Sequence, residues 1–284
     1  MLLTLLKSPF YLLRLAFVAY RSRYRGREGL EVFRVLTALW LKTTFKWTPS
    51  GGMYRQRLFG FTVEGSSYEL LLRLFKELFL VEPYAFEPAT STPYIVDAGA
   101  NIGMAVLYFK KQFPTAHIIA FEPNPEAFRL LACNVAANNL RNVQLHNVAL
   151  APTQGELPFY FGTDGASLTG SLHPHATGVQ TVLVPTRRLA DYFDATPIFH
   201  LLKLDVEGAE AGILADLAAT GLLPRFQQYV VEFHYSIGTT ESAQLAACLQ
   251  AFEQRGFAYS IRQALPRLAH SQDIILHFWQ RSYL

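Results

Sequence analysis

Tyr94-Ile95-Val96-Asp97-Ala98-Gly99-Ala100-Asn101-Ile102-Gly103, followed by a glutamate at position 122 that closes the next apolar run, is the stretch that decides the fold. It reads as a buried strand, a glycine turn and a helix start. Gly99 and Gly103 supply residues without side chains, as a turn that brings backbone N–H groups toward a polar ligand requires. Glu122, at the end of a second strand, is placed to accept hydrogen bonds from both hydroxyls of a ribose. It stands 25 residues after Asp97, near the roughly 20 expected in a nucleoside-binding βαβ unit.

The same pattern discriminates between cofactors. A dinucleotide site carries G-x-G-x-x-G, whose central glycine admits a pyrophosphate. Here the pattern is Asp97-x-Gly99-x-Asn101-x-Gly103. A carboxylate at the strand end repels a pyrophosphate but suits a cationic amino group. S-Adenosylmethionine, with an amino group, a sulfonium, a ribose and no phosphate, is therefore expected in preference to NAD. The bland alternative is a tight turn that holds no ligand.

A chain of 284 residues has room for one large or two small domains with a full core. Its 51% hydrophobic and 17% charged content is high for a soluble enzyme and short of a membrane protein. Cys133 and Cys248 fall in separate helical patterns, which points away from a disulfide and toward a reducing, cytoplasmic compartment. No His/Cys spacing marks a zinc site. Charge is strongly divided: residues 1–57 hold eleven Lys/Arg against two Glu, a balance of +9, so the remainder carries −6. That split points to an anionic partner for the N-terminal part.

Residues 1–57 read as a basic, apolar helical extension, 58–93 as a connecting strand and helix, and 94–284 as a Rossmann-like α/β domain. Lys7 and Arg14 interrupt the leucine-rich start, so no run reaches the roughly 18 apolar residues of a spanning helix. Lys7, Arg14 and Arg21 recur at seven-residue intervals as one stripe, with Leu3, Leu6, Phe10, Leu13 and Phe17 on another face. The pattern suits a helix lying peripherally on the inner face of an anionic membrane. It suits equally a helix packed on the catalytic part or on a second copy of the chain in a homo-oligomer. Residues 29–47 repeat the mixture, Gly51-Gly52 marks a break, and 61–80 reads as a short strand and then a helix from Ser67.

From Tyr94 onward strands (94–99, 117–121, 143–149, 199–205, 228–234) alternate with helices (101–112, 124–138, 207–219, 239–255), the signature of a parallel sheet covered on both faces. Phe257–Arg262 and Asp273–Trp279 pair as a terminal antiparallel hairpin. Alternating segments at 156–161 and 179–186 form an insertion around a polar loop. Ligands bind beyond the carboxyl ends of such strands, which is where Asp205 and Glu207, and then Glu232 and His234, fall. A His and several carboxylates gathered there can deprotonate a hydroxyl, His234 as base with Asp205 orienting the acceptor, or hold a divalent cation. Glu210 reads as an acid favourable to a helix start.

Five motifs in order, Asp97-Ala-Gly-Ala-Asn-Ile-Gly103, Ala120-Phe-Glu-Pro-Asn-Pro125, Asn147-Val-Ala-Leu150, Leu204-Asp-Val-Glu-Gly-Ala-Glu210 and Glu232-Phe-His234, resemble the FkbM family of S-adenosylmethionine-dependent methyltransferases over about residues 90–235. The resemblance implies a class I methyltransferase fold, a seven-stranded, mostly parallel sheet whose last strand is antiparallel. It also implies O-methylation, in a family that acts on sugar and polyketide hydroxyls. By motif position Asp97, Gly99 and Asn101 would hold the methionine part of the cofactor, Glu122 the ribose, and Asn147 with Val148 the adenine edge. Ser167, in a small-residue loop, would line the acceptor site. The expected acceptor is a sugar, glycolipid or lipid-like hydroxyl. Nucleic acid is disfavoured, because Asp205-Val-Glu-Gly replaces the Pro-Pro-aromatic turn that grips a flipped base and the acidic catalytic part repels phosphates. A scaffold protein with a vestigial pocket is the other class of reading.

Overall fold

The computed structural model describes residues 2–47, 53–162, 170–171, 179–193, 198–236, 240–263 and 271–283. Helices α1 (Leu2–Arg21) and α2 (Gly26–Thr44) form an antiparallel hairpin in which Tyr11 stacks on Trp40. A β-hairpin, β1 (Tyr54–Leu58) and β2 (Phe61–Gly65), leads into α3 (Tyr68–Lys76), which widens into a π-helical turn over Glu77–Val81. Ser67 starts α3 by accepting the Leu70 N–H on its hydroxyl at 3.2 Å.

The α/β part follows as β3 (Tyr94–Ala98), α4 (Met104–Gln112), β4 (His117–Phe121), α5 (Pro125–Ala137) and β5 (Val143–His146). An inserted four-stranded sheet comprises β6 (Ala149–Leu150), β7 (Gly155–Gly162), β8 (Gly170–Ser171) and β9 (Val179–Arg187). The main sheet resumes with β10 (Phe199–Leu204), α6 (Glu210–Ala219), β11 (Phe226–Ser236), α7 (Thr240–Glu253), β12 (Phe257–Gln263) and β13 (Ser271–Gln280). Its order is β12-β13-β11-β10-β3-β4-β5, parallel except for β13, which inserts antiparallel between β11 and β12. This is the class I methyltransferase arrangement. The chain leaves β3 in one direction toward β4 and β5 and returns on its other side with β10, so a crevice opens at the carboxyl ends of β3 and β10.

Two apolar layers cover the sheet. One packs Ile213, Leu214, Phe252 and their neighbours from α6 and α7 against β10, β11 and β13. The other is a single continuous core that runs from α4 and α5 through Phe75 and Phe79 to Val32, Leu36 and Leu39 of α2 and Leu15 and Ala19 of α1. The N-terminal helices are therefore part of the core's outer shell. Asn134 of α5 and Asn138, which caps its end, clip the small hairpin in place: each side-chain amide exchanges hydrogen bonds of 2.7–3.1 Å with the main chain of Glu64 or Thr62, as a neighbouring strand would. Both cysteines are free thiols. Among the described residues no helix is long and apolar enough to cross a membrane.

Several elements depart from the sequence reading for a local reason. Helix α4 begins at Met104 instead of 101, because Asn101 and Gly103 have φ of 50° and 89°. Helix α6 begins at Glu210 instead of 207, because Glu207 and Gly208 have φ of 58° and 109°. A right-handed helix cannot include such residues. The strand expected over 143–149 stops at His146, and Ala149–Leu150 pairs instead with β9 of the inserted sheet. Strand β1 went unforeseen and straddles position 57, where the helical extension was expected to end. Its sequence, Tyr-Arg-Gln-Arg-Leu, has apolar residues only at its two buried ends.

Candidate active site

At the crevice between β3 and β10 lies a cleft of about 1080 Å³, its open mouth included. Gly99, Asn101, Glu122, Val148, Asp205, Glu207 and Glu232 line it, so seven of the expected site residues meet in one place. Asp97, Gly103, Asn147 and His234 stand behind or beside that lining, and Ser167 lies outside the described residues.

The glycine turn works differently from the sequence expectation. Its N–H groups do not reach toward a ligand. Those of Gly99 and Ala100 donate to the Phe121 carbonyl at 3.0 and 2.9 Å, and that of Gly103 to Ala100 at 2.8 Å. The Asn101 N–H goes to Glu122. Gly99 is required instead by close approach: a Cβ there would sit 1.7 Å from the Asp205 carbonyl oxygen, and its φ is +81°. The two strand ends can touch only because one of them has no side chain.

Asp97 is fully buried and faces Lys203, not the cleft. The Lys203 ammonium, on the neighbouring strand, lies 3.2 Å from Asp97 Oδ1 and 3.5 Å from Asp205 Oδ2. It also donates to the carbonyls of Gly99 at 2.6 Å and Ala98 at 3.2 Å. Burial opposes its charge, yet Asp97 and Asp205 outweigh that and hold its pKa above the usual lysine value. The cation that Asp97 was expected to receive from a cofactor is thus supplied by the protein. A lysine within the apolar run Leu201-Leu202-Lys203-Leu204 was the available signal, since a buried charge needs a partner.

Glu122 keeps its expected place. Its two carboxylate oxygens accept from the Asn101 N–H at 2.8 Å and the Asn124 N–H at 2.7 Å, with lone pairs left for further donors. Burial pushes its pKa up to about 7 in spite of those two bonds. Asn147 holds the next turn through its side-chain amide, which donates to the carbonyls of Glu122 at 2.8 Å and Pro123 at 3.1 Å. This leaves Val148, with Phe121, Leu150 and Phe159, as the apolar wall of the cleft.

On the other side of the cleft stands Tyr84, from the proline-rich connector, which carried no local signal of a role. Its buried hydroxyl is 3.1 Å from Asp205 Oδ2 and 3.3 Å from Glu232 Oε2, and its ring faces Lys203 at 5.3 Å. One phenolic hydrogen can serve only one carboxylate, so both contacts are hydrogen bonds only when a carboxyl carries a proton. Burial, then the charge of Asp205, pushes Glu232 up to about 8. At neutral pH Glu232 therefore donates to Tyr84, and Tyr84 donates to Asp205.

His234 is not a ready base. Nδ1 lies 3.0 Å from the buried Glu210 and Nε2 3.5 Å from Glu207. Burial works against a charged ring, but the hydrogen bond and charge of Glu210, helped by Asp205 and Glu207, hold the pKa up at about 10. The ring is an imidazolium at neutral pH with both N–H groups engaged. Glu210 is more than a dipole partner, since it also accepts from the N–H groups of Val206 and Gly208 at 3.1 Å and so fixes the turn that carries Glu207. Asp205, Glu207 and His234 bring one ligand atom each to within 4.8 Å of one another, a set that could take a divalent cation only after the ring loses its proton.

The family model for the Methyltransferase FkbM domain matches residues 97–259. "Methyltransferase 1" of Beauveria bassiana is 34% identical over 162 residues, which cover 50% of this chain and 65% of that protein. The 2-O-methyltransferase NoeI of Sinorhizobium fredii is 30% identical over 150 residues, 47% of this chain and 61% of NoeI. The chain thus spans just under two thirds of the length of these relatives. A solved methyltransferase FkbM from Methylobacillus flagellatus superposes with a TM-score of 0.47 at 14% identity, covering 91% of this chain and 63% of the other.

Proposed function

The chain belongs to the FkbM methyltransferase family, and we infer that it transfers a methyl group from S-adenosylmethionine to a hydroxyl of a sugar, glycolipid or lipid-like natural product. The observation that carries the reading is the buried Glu122 carboxylate at the carboxyl end of β4, beside the crevice where the sheet reverses order. The donor set fits this cofactor. Glu122 suits the ribose, the wall of Val148, Phe121 and Leu150 suits the adenine, and the Asp205 and Glu207 carboxylates in the lining suit a sulfonium and an ammonium. The N–H groups of Gly99, Ala100 and Asn101 are spent on Phe121 and Glu122 at the end of β4 and that of Gly103 within the turn, which leaves no cradle there for a pyrophosphate.

When bound, the cofactor supplies an electrophilic methyl group. The protein's part is to hold the acceptor hydroxyl and take its proton. Asp205, open to the cleft and fixed by Tyr84, is the accepting carboxylate. The protonated Glu232 and the Lys203 ammonium hold that arrangement, and the His234 imidazolium fixes Glu207. This moves the base from His234, as the sequence suggested, to Asp205. An acceptor hydroxyl, and not a base, is supported by the acidic cleft and by a relative named as a 2-O-methyltransferase. Calorimetry with S-adenosylmethionine and NAD tests the cofactor. Incubation with methyl-labelled cofactor and a panel of glycan, lipid-linked and nucleic-acid acceptors tests the reaction. NAD binding, or label on nucleic acid alone, would overturn the reading.

A further inference from the structure

We propose that the outer face of the N-terminal helical hairpin is a docking surface for an anionic lipid bilayer, from which an amphiphilic acceptor reaches the cleft. The part of this that concerns the acceptor rests on the proposed function; the surface itself does not.

Helix α1 buries Leu15 and Ala19 inward, so its other side faces solvent. There Leu13, Phe17 and Tyr20 are 60–77% exposed, on positions three or four apart that form one stripe. The end of α2, brought alongside by the Tyr11–Trp40 stack, adds exposed Leu41, Phe45 and Trp47. Singly exposed apolar residues are ordinary, but Leu13, Phe17 and Tyr20 form one continuous stripe on α1. Aromatic residues with a polar tip, such as Tyr20 and Trp47, suit the boundary between headgroups and acyl chains.

Charge selects the occupant. Arg14, Arg21, Arg34 and Lys46 are exposed among these apolar residues. Arg23 is paired with Glu82 and Arg55 with Glu64, and Lys42 lies over the Tyr68 ring. Arg21 lies on the apolar stripe itself, its guanidinium 5.8 Å from the Phe17 ring. Residues 1–57 carry +9 and the rest −6, so the hairpin belongs to the basic part of the chain. A second copy of the chain would set like charges against each other on this face, whereas an anionic bilayer offers both acyl chains and negative charge.

The patch is also connected to the chemistry. Beside the exposed end of α2 a groove lined by Thr43, Thr44, Glu69, Leu72, Arg73 and Lys76 runs along α3, two cations against one carboxylate, and Arg73 lines the catalytic cleft as well. Burial and the nearby charge of Arg14 lower the Lys76 ammonium pKa, a strain that an anionic headgroup at the groove would relieve.

Flotation of the full-length protein with vesicles tests the surface. Vesicles of phosphatidylglycerol and phosphatidylcholine should carry the protein at low salt and release it at high salt, while pure phosphatidylcholine should leave it in the buffer. Arg14→Gln and Arg21→Gln should each weaken binding about fivefold. Phe17→Ser, an exposed change compatible with folding, should abolish it while leaving S-adenosylmethionine affinity unchanged. Protein that stays with the buffer on anionic vesicles at low salt overturns the proposal. So does light scattering that shows a dimer dispersed by Phe17→Ser, which would give the face to a second copy. Vesicle binding without cofactor binding would instead sink the proposed reaction and leave the surface standing.

Discussion

Replacing Glu122 by Gln isolates the group on which cofactor binding turns. The carboxyl is held by the N–H groups of Asn101 and Asn124 and pushed from the ordinary 4.5 up to about 7 by burial. That displacement corresponds to about 3 kcal/mol opposing ionisation in the protein without cofactor. Because the folded pKa lies above the unfolded one, this cost is absent at low pH and grows as pH rises from 4.5 through about 7. The ionised form accepts from both ribose hydroxyls, whereas a protonated carboxyl turns one oxygen into a donor, so below about pH 7 binding in full must first expel a proton. Affinity should then fall by up to about tenfold for each pH unit below about 7 and be flat above it. Glu122→Gln keeps the shape, has nothing to titrate, and opposes one backbone N–H with its own amide. It should lose roughly 1.5–3 kcal/mol of cofactor affinity at alkaline pH, about 10–150-fold, and show no slope at all. Calorimetry of both proteins from about pH 5.5 to about pH 8.5, in two buffers of different ionisation heat, reads the slope and the released proton together. A flat profile for the unaltered protein, or an unchanged affinity in the variant, would refute the assignment of Glu122 to the ribose.

Lys203→Met leaves Asp97 buried without its counter-charge and should cost about 3–5 kcal/mol in denaturant unfolding, with Asp97→Asn in the same chain recovering part of the loss. Tyr84→Phe preserves the ring over Lys203 but removes the link between Asp205 and Glu232; turnover should drop roughly tenfold or more and the acid limb of the pH–rate profile should move to higher pH, while cofactor affinity stays the same. Gly99→Ala drives a Cβ into the Asp205 carbonyl at 1.7 Å, and neither backbone can yield, so soluble folded protein should not be recovered. The His234 ring should remain protonated by NMR through neutral pH and titrate near 10; its stabilising contribution, complete below about 6.5, should decline above that pH and be gone once pH has risen through about 10. A ring that titrates near neutrality would restore His234 as a base.

The alternation of strands and helices from Tyr94 onward, the order of the motifs and the place of Glu122 at the end of the second strand of the sheet were all legible in the sequence. Each depends on local periodicity or on a spacing along one chain segment, which a linear reading preserves. Where the backbone enters a left-handed conformation, at Asn101, Gly103, Glu207 and Gly208, the helix starts shifted, because side-chain pattern does not report φ. The roles of charged groups were decided only in three dimensions. Asp97 and Lys203 are 106 residues apart, and only the pairing of β3 with β10 places them side by side. That contact turns an expected cofactor ligand into a structural ion pair. His234 changed from base to imidazolium for the same reason: Glu207 and Glu210 belong to a turn on another strand, and their distance from the ring sets its charge. Tyr84 left no trace in the sequence, since a phenol in a proline-rich connector gains a role only when folding carries its hydroxyl between two carboxylates from separate strands. Composition showed that the N-terminal segment is basic and apolar, but which of its residues are buried and which face outward was settled by packing, because a helix face acquires a partner only from the fold around it.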